Sequence, residues 1–257
     1  MSRFEIGPAA PVAVQRTAAL LEVRQLDAWY GAAQILREVD LEVRRGEVVA
    51  LMGRNGAGKS TTLKAIMGLV KRRARTLEFM GRSVHDLRPF EMARCGVGYV
   101  PEDRRVFTEL TVDENLSLGR LPPRHWPDGK PAANWDAEEL YTLFPPLQPL
   151  RKRLAGTLSG GEQQMLTIAR TLMGNPFLLL LDEPSEGVAP VVVEQMVGMV
   201  QALKARGTSI LLSEQNLPFA RLVADRSYVL EKGVVRHAGS MESLFQDETL
   251  KRKYLTL

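Results

Sequence analysis

The sequence EVVALMGRNGAGKS, residues 47–60, joins a short apolar run to a glycine-rich loop with the spacing Gly-x-x-x-x-Gly-Lys-Ser. Apolar residues then recur at helical spacing, at Leu63, Ile66, Met67 and Val70. The stretch predicts a buried strand, a loop and a helix, in that order. Such a loop wraps a phosphate, because its glycines let backbone N–H groups converge and the helix presents the positive end of its dipole. We therefore predict a phosphate-binding loop, with a chance glycine turn as the alternative.

Lys59 and Ser60 end this loop with two side chains that suit a nucleoside triphosphate. Lys59 adds a full positive charge, and Ser60 offers a hydroxyl to the Mg²⁺ ion that bridges the terminal phosphates. The loop does not identify the reaction, since kinases, GTPases, motors and transporters share it. The sequence contains no Asn-Lys-x-Asp element for guanine, but the loop by itself leaves the base undecided.

Two further apolar runs end in polar residues. The run 177–181 is followed by Asp182 and Glu183, and the run 209–212 is followed by the sequence SEQN, residues 213–216. Three such strands predict a largely parallel sheet with a ligand at its carboxyl edge. Because adjacent strand residues point in opposite directions, Asp182 can reach a metal ion through water while Glu183 polarises an attacking water. The alternative for Glu183 is a surface ion pair.

The composition is that of an ordinary folded globular protein. Of the 257 residues, 45% are apolar and 25% are charged, and the formal net charge is +4. This balance excludes the disordered and fibrous classes. The slight positive charge suits anionic ligands and does not indicate nucleic-acid binding. The single cysteine, Cys95, excludes an internal disulfide and favours a reducing compartment.

Prolines and apolar content indicate the domain organisation. Residues 1–20 hold two prolines and no continuous apolar region, which predicts a flexible tail. Residues 21–257 are predicted to form a single domain, with a proline-punctuated helical subdomain inserted at about residues 101–174. The longest apolar run, 177–181, is far shorter than the roughly 20 residues of a membrane helix, so a transport role requires a separate pore-forming chain.

The sequence LSGGEQQ, residues 158–164, precedes a helix whose apolar face begins at Met165. The phosphate loop, LSGGEQQ and the sequence LLDEP, residues 180–184, occur in the order and spacing that resemble the nucleotide-binding domains of ABC transporters. The resemblance covers about residues 21–254. It implies an α/β fold: a P-loop NTPase core with a mainly parallel sheet, an antiparallel β part at the N-terminal side and an inserted α-helical subdomain. It also implies that the chain binds ATP and Mg²⁺ and hydrolyses ATP.

The resemblance further implies a head-to-tail dimer of ATPase subunits, either identical or paralogous. In it, Ser159, Gly160 and Gly161 of one subunit close over the nucleotide that the other subunit holds. The holding residues are Gly53, Asn55, Gly56, Gly58, Lys59, Ser60 and Thr61. Tyr30 matches the aromatic residue that stacks on adenine, although Trp29 and Tyr30 also suit strand-edge packing.

A closer resemblance, to the LivF-type ATPases of branched-chain amino acid importers, lies in the sequences VPEDRRVF (100–107), SEGVAP (185–190) and SEQN (213–216). In the wider family the position of Glu102 is usually glutamine, that of Gln215 usually histidine and that of Gly187 usually aspartate. This branch shares all three departures. Glu102 then offers an oxygen to the metal ion, and its loop is expected to touch the membrane partner. Gln215 is expected to orient the γ-phosphate and the attacking water.

The implied partners are transmembrane permease subunits and, indirectly, a periplasmic or extracellular substrate-binding protein. The chain is then a peripheral protein at the cytoplasmic face of the inner membrane. Two alternatives are open: the ATPase of a lipopolysaccharide-export system, which ordinarily keeps the histidine that Gln215 replaces, and a soluble ABC protein of DNA repair or translation. The soluble proteins usually carry two modules or long insertions, and this sequence has neither.

Overall fold

The structure, a computed structural model, describes residues 19–255. The predicted flexible tail, residues 1–20, falls almost entirely outside the described residues. Within them, Leu20 is buried and its backbone N–H donates to the carbonyl of Val43. The ordered antiparallel pairing therefore extends at least to Leu20.

Eleven strands form two sheets in the described part of the chain. They are β1 (Leu21–Tyr30), β2 (Ala33–Val43), β3 (Val48–Met52), β4 (Lys71–Arg73), β5 (Thr76–Phe79), β6 (Arg82–Ser83), β7 (Val97–Val100), β8 (Leu178–Asp182), β9 (Ser209–Glu214), β10 (Arg226–Glu231) and β11 (Val234–Ser240). The first sheet is antiparallel, in the order β2-β1-β5-β6 with β4 also paired to β1. The second has the order β11-β10-β3-β9-β8-β7 and is parallel except for the β10–β11 hairpin. The predicted runs 47–52, 177–181 and 209–212 correspond to β3, β8 and β9.

Nine α-helices surround the sheets within residues 19–255. They are α1 (Lys59–Ile66), α2 (Pro89–Cys95), α3 (Val112–Leu118), α4 (Ala137–Leu143), α5 (Gly160–Leu172), α6 (Pro190–Ala205), α7 (Leu217–Val223), α8 (Met241–Gln246) and α9 (Glu248–Tyr254). The segment 101–174 holds α3, α4 and α5 and two 3₁₀ turns, and contributes no strand to either sheet as the structure describes it. None of the helices described is both long and apolar enough to cross a membrane.

The central strands are buried on both faces, as is usual for parallel strands covered on both sides. In β3, Val48, Ala50 and Met52 face one core, whereas Val49 and Leu51 face the other. The first core includes side chains of α3 to α8, and the second includes those of the antiparallel sheet and α1. Each fully buried aliphatic side chain stabilises the fold by roughly 1.5–3 kcal/mol. This packing fixes the carboxyl ends of β3, β8 and β9, where the loops of the site begin.

Candidate active site

The glycine loop between β3 and α1 has the backbone geometry of an anion site. Gly53 has φ 147° and Gly58 has φ 108°, both in the region that favours glycine. A Cβ on Gly53 would lie 2.5 Å from the carbonyl oxygen of Leu230, and one on Gly58 would lie 2.8 Å from Leu36 Cδ2. A side chain would push Gly53 away from the backbone of β10 and Gly58 away from the Leu36 side chain of β2.

The first turn of α1 leaves its N–H groups available to an anion. α3, α4 and α5 begin with a capping box, in which a side chain accepts from the helix backbone, but α1, within the described chain, has neither a side-chain cap nor an acid in its first turn. These N–H groups carry the positive end of the helix dipole. A phosphate fits this end of the helix, as the spacing predicted.

Lys59 is buried, with 3% of its side chain exposed, and points back over the loop. Its Nζ donates to the carbonyl oxygens of Gly53 at 2.9 Å and Arg54 at 3.2 Å, and forms an ion pair with Glu183 Oε1 at 3.0 Å. A buried ammonium so placed is held directly over the loop that would bind phosphates. Its carboxylate partner occupies a position for which phosphate oxygens would compete.

Asp182, the last residue of β8, is almost wholly buried and is held by two hydroxyls. Its Oδ1 accepts from Ser213 Oγ at 2.7 Å and its Oδ2 accepts from the Tyr99 hydroxyl at 3.0 Å. Burial, the charge of Asp182 and the hydrogen bond to it raise the pKa of Tyr99, so Tyr99 stays a neutral donor. Asp182 is thereby fixed as a hydrogen-bonded carboxylate beneath the pocket.

Glu183 leaves β8 in a left-handed conformation, with φ 46°, and its N–H donates to Ser213. This turn directs the Glu183 carboxylate toward Lys59, whereas the Asp182 carboxylate contacts Ser213. Burial opposes ionisation of Glu183. The hydrogen bond with Glu186, the ion pair with Lys59 and the hydrogen bond from Gln215 outweigh burial and lower its pKa. Glu183 is thus an ionised carboxylate at neutral pH.

Gln215 follows β9 and joins two carboxyl groups. Its Nε2 donates to Glu183 Oε2 at 2.7 Å and to Glu186 Oε2 at 3.3 Å. Glu214, next to it, is buried and accepts the backbone N–H groups of Ser185 at 3.1 Å and of Gln215 and Asn216 at 3.0 Å each. Glu214 therefore ties the loop after β8 to the loop after β9.

These groups border a pocket of about 470 Å³. It is lined by Tyr30, Ile35, Asn55, Gly56, Gly58, Lys59, Ser60, Thr61, Glu102, Glu183 and Glu186. All but Ile35 and Glu186 were proposed from the sequence. Tyr30 is 46% exposed, which leaves its ring open at the rim. Of the other proposed residues, Gly53 contacts Lys59, Gln215 contacts Glu183, and Asp182 is bonded to Tyr99 and Ser213.

Ser159, Gly160 and Gly161 lie at the amino end of α5, and within the described chain they do not line this pocket. Ser159 caps the helix, with its N–H donating to Glu162 Oε2 at 2.7 Å. The guanidinium of Arg104 lies directly against the Cα of Gly160 and donates to the carbonyl oxygens of Gly187 at 3.2 Å and Glu186 at 3.4 Å. A single subunit therefore keeps its phosphate loop and its LSGGEQQ sequence apart.

Glu186, Glu214 and Arg104 were not assigned a role in the sequence. Glu186 lies in the sequence SEGVAP and is a second acid three positions after Glu183, but neither signal gives it a role. Glu214 is the last residue of β9 and is buried, and the backbone N–H groups that compensate its burial are visible only in the structure. Arg104 lies within VPEDRRVF, but its contacts depend on the loop at 186–187, which is distant in sequence.

A phosphate loop with a buried lysine, facing carboxylates at the ends of neighbouring parallel strands, defines the class of P-loop nucleotide hydrolases. Residues 36–186 match the sequence profile described as ABC transporter. The chain belongs to the ABC transporter family and is an ATP-hydrolysing subunit of it.

Several known proteins are similar over nearly the whole chain. The high-affinity branched-chain amino acid transport ATP-binding protein BraG of Pseudomonas aeruginosa is 39% identical over 92% of this chain and 99% of its own length. The lipopolysaccharide export system ATP-binding protein LptB of Haemophilus influenzae is 34% identical over 92% of this chain and 97% of its own. A crystal structure of an ABC transporter cassette in its ADP conformation superposes with a TM-score of 0.75 and 28% identity, covering 92% of this chain and 98% of that one. The predicted fold class is thereby confirmed.

Proposed function

We propose that this ATPase energises the import of branched-chain amino acids or of related small amides or organic acids. ATP hydrolysis at this pocket is supported chiefly by the contacts of Glu183 with Lys59 and Gln215. These contacts place an ionised carboxylate beside the phosphate loop. The importer class is supported by the similarity to BraG and by the occurrence of Gln215, where lipopolysaccharide-export ATPases ordinarily have histidine.

The proposed binding mode places the ATP phosphates on the N–H groups of the loop and of the first turn of α1. The phosphates attract Lys59 away from Glu183, which removes one cause of the low pKa of Glu183. The pKa of Glu183 then rises, which makes its carboxylate a more effective base. Glu183 accepts a proton from the water that attacks the γ-phosphate. Gln215 holds Glu183 in place through its hydrogen bond, which does not depend on pH because an amide does not titrate.

The residues present suit Mg²⁺. Ser60 lines the pocket and Asp182 precedes the lining residue Glu183, and both supply hard oxygen donors of the kind that Mg²⁺ prefers. We propose that Ser60 and Asp182 hold the ion, and that Glu102, which also lines the pocket, offers an oxygen to it or to its water. When bound, Mg²⁺ would neutralise charge on the terminal phosphate oxygens. Tyr30, exposed at the rim, is proposed to stack on adenine.

A second ATPase subunit is proposed to complete each site. The amino end of α5 carries Ser159, Gly160 and Gly161, lies outside the subunit's own pocket, and has the positive end of a 13-residue helix. A triphosphate held by another subunit is the partner that this end of the helix suits. Ser159, Gly160 and Gly161 would then act across a head-to-tail dimer.

A permease is proposed to dock on the groove between the sheet edge and α3 and α5. This groove, of about 590 Å³, has the exposed side chains Leu69, Phe107 and Leu118 in its wall. An adjoining groove of about 680 Å³ is lined by Tyr30 and Glu102, which also line the nucleotide pocket. The loop of Glu102 would therefore transmit the nucleotide state to the permease. The chain would sit at the cytoplasmic face of the inner membrane, and a periplasmic or extracellular binding protein would act through the permease.

Copurification from a detergent extract of cells that express the complete transport operon tests this assignment. The expected partner is a permease whose ATPase rate in vesicles is stimulated by a liganded amino-acid-binding protein. Stimulation by lipopolysaccharide, or copurification with soluble proteins alone, would replace the importer by one of the other two classes. Lys59→Ala is the matched control, since it should abolish ATP turnover while leaving the partners bound.

A further inference from the structure

Arg104 joins two parts of the molecule that are distant in sequence, the amino end of α5 and the loop after β8. Its Nη2 donates to the carbonyl oxygens of Gly187 at 3.2 Å and Glu186 at 3.4 Å. Its Nη1 lies against Gly160, so closely that a Cβ on Gly160 would overlap it. One guanidinium therefore bridges the first turn of α5 and the loop that follows Glu183.

The loop after β8 is a firm attachment point for this bridge. Glu214, at the end of β9, accepts the N–H of Ser185 at 3.1 Å, and the N–H of Glu186 donates to the carbonyl oxygen of Glu183 at 3.1 Å. The loop is thus tied to the carboxyl ends of β8 and β9, two strands whose residues are all buried. Through Arg104, the amino end of α5 is held relative to the central sheet.

The segment that carries Arg104 is attached to α5 at a second point. Arg170, near the carboxyl end of α5, donates to the carbonyl oxygen of Arg105 and, at 3.1 Å, to Asn115 Oδ1 of α3. Asn115 Oδ1 also accepts the N–H of Phe107 at 3.0 Å. Arg104 itself has φ 51°, a left-handed conformation that is unfavourable for residues other than glycine. Such a conformation persists where the surrounding contacts require it.

We propose that Arg104 is a positioning residue for the ATP site of the partner subunit. It holds Ser159, Gly160 and Gly161 where they close over the nucleotide that the partner binds. This inference rests on the proposed head-to-tail dimer. In the described part of the chain, Arg104 does not line the nucleotide pocket of its own subunit. Its loss should therefore affect the nucleotide of the partner and spare the nucleotide of its own chain.

The first test measures ATP-dependent dimer formation by the full chain in a Glu183→Gln background, where bound ATP is not hydrolysed. With Arg104→Ala, the protein concentration needed for dimers should rise roughly 10- to 100-fold, as for lost hydrogen bonds from a charged group, while the affinity of the monomer for a fluorescent ATP analogue stays within about twofold. Arg105→Ala is the matched control, because it removes a neighbouring, exposed guanidinium that pairs with Asp103. Unchanged dimer formation by Arg104→Ala, or an equal loss of nucleotide affinity by its monomer, would overturn the proposal.

Mixed dimers show which of the two ATP sites Arg104 serves. In a dimer of Arg104→Ala with Lys59→Ala, both lesions fall on one composite site if Arg104 acts on the nucleotide of the partner, and the other site stays intact. The mixture should therefore hydrolyse ATP faster than either variant alone. A mixture without this gain, where Ser159→Arg mixed with Lys59→Ala does gain activity, would place the effect of Arg104 in its own subunit and overturn the proposal. No gain in either mixture would instead refute the proposed dimer.

Discussion

Replacing Glu183 by glutamine should separate ATP binding from ATP hydrolysis and also change the stability of the nucleotide-free protein. In the structure Glu183 balances the charge of Lys59 at 3.0 Å, and both side chains are more than nine-tenths buried. The variant leaves a buried ammonium with only the carbonyl oxygens of Gly53 and Arg54 as strong acceptors among the described contacts.

The expected changes in stability and in ATPase rate follow from this geometry. Removing one partner of a buried ion pair costs about 3–5 kcal/mol, and since glutamine keeps an acceptor oxygen we expect about 1–3 kcal/mol here. For a chain of this length that lowers Tm by roughly 2–10 °C. ATP phosphates re-pair Lys59, so the stabilisation by saturating ATP should exceed that of the parent, which is about 2.7 kcal/mol at 100 times Kd. Loss of the base should lower kcat about 10²- to 10⁴-fold.

Thermal unfolding with and without ATP and magnesium, together with steady-state ATPase rates and size-exclusion chromatography, measures all three effects. ATP that is bound but not hydrolysed should also hold subunits together as dimers. In a Lys59→Ala background the stability cost of Glu183→Gln should disappear, because the unpaired cation is gone. Unchanged stability without ATP, combined with an ATP-induced shift equal to that of the parent, would show that the Lys59–Glu183 pair is absent in solution.

Three further substitutions test other parts of the site. Ser159→Arg should damage the site of the partner subunit, so mixing it with Lys59→Ala should restore activity that neither has alone; loss of nucleotide affinity confined to the Ser159→Arg chain would contradict the dimer. Gln215→His should introduce an inflection in the ATPase rate between roughly pH 6 and 8, since imidazole titrates near pH 6.5 and an amide does not; profiles of equal height that superimpose for the parent, Gln215→His and Gln215→Ala would remove Gln215 from the mechanism. Glu214→Ala should destabilise the protein by about 2–4 kcal/mol in urea unfolding, because one buried and two partly buried N–H groups lose their acceptor; a loss below about 0.5 kcal/mol would mean that water replaces the carboxylate.

The sequence by itself determined the core of the fold and the phosphate loop, because those features are local. Apolar runs of five or six residues specify strands buried on both faces, and β3, β8 and β9 lie within two residues of the predicted runs. The loop 53–58 depends on backbone angles that only glycine adopts readily, so its residues identify its conformation. The order and spacing of the motifs are sufficient to identify the ABC transporter family from the sequence.

The tertiary structure alone decided which side chains act on one another. Gln215 meets Glu183 across 32 residues of chain, and Tyr99 meets Asp182 across 83. Strand alternation separated Asp182 from Glu183, but the left-handed turn at Glu183 aims its carboxylate at Lys59. Glu186 lies in the sequence SEGVAP, but only the structure shows that the neighbouring Glu183 and burial raise its pKa. Such electrostatic effects depend on distance and burial, which only the packing of β8, β9 and α1 against one another fixes.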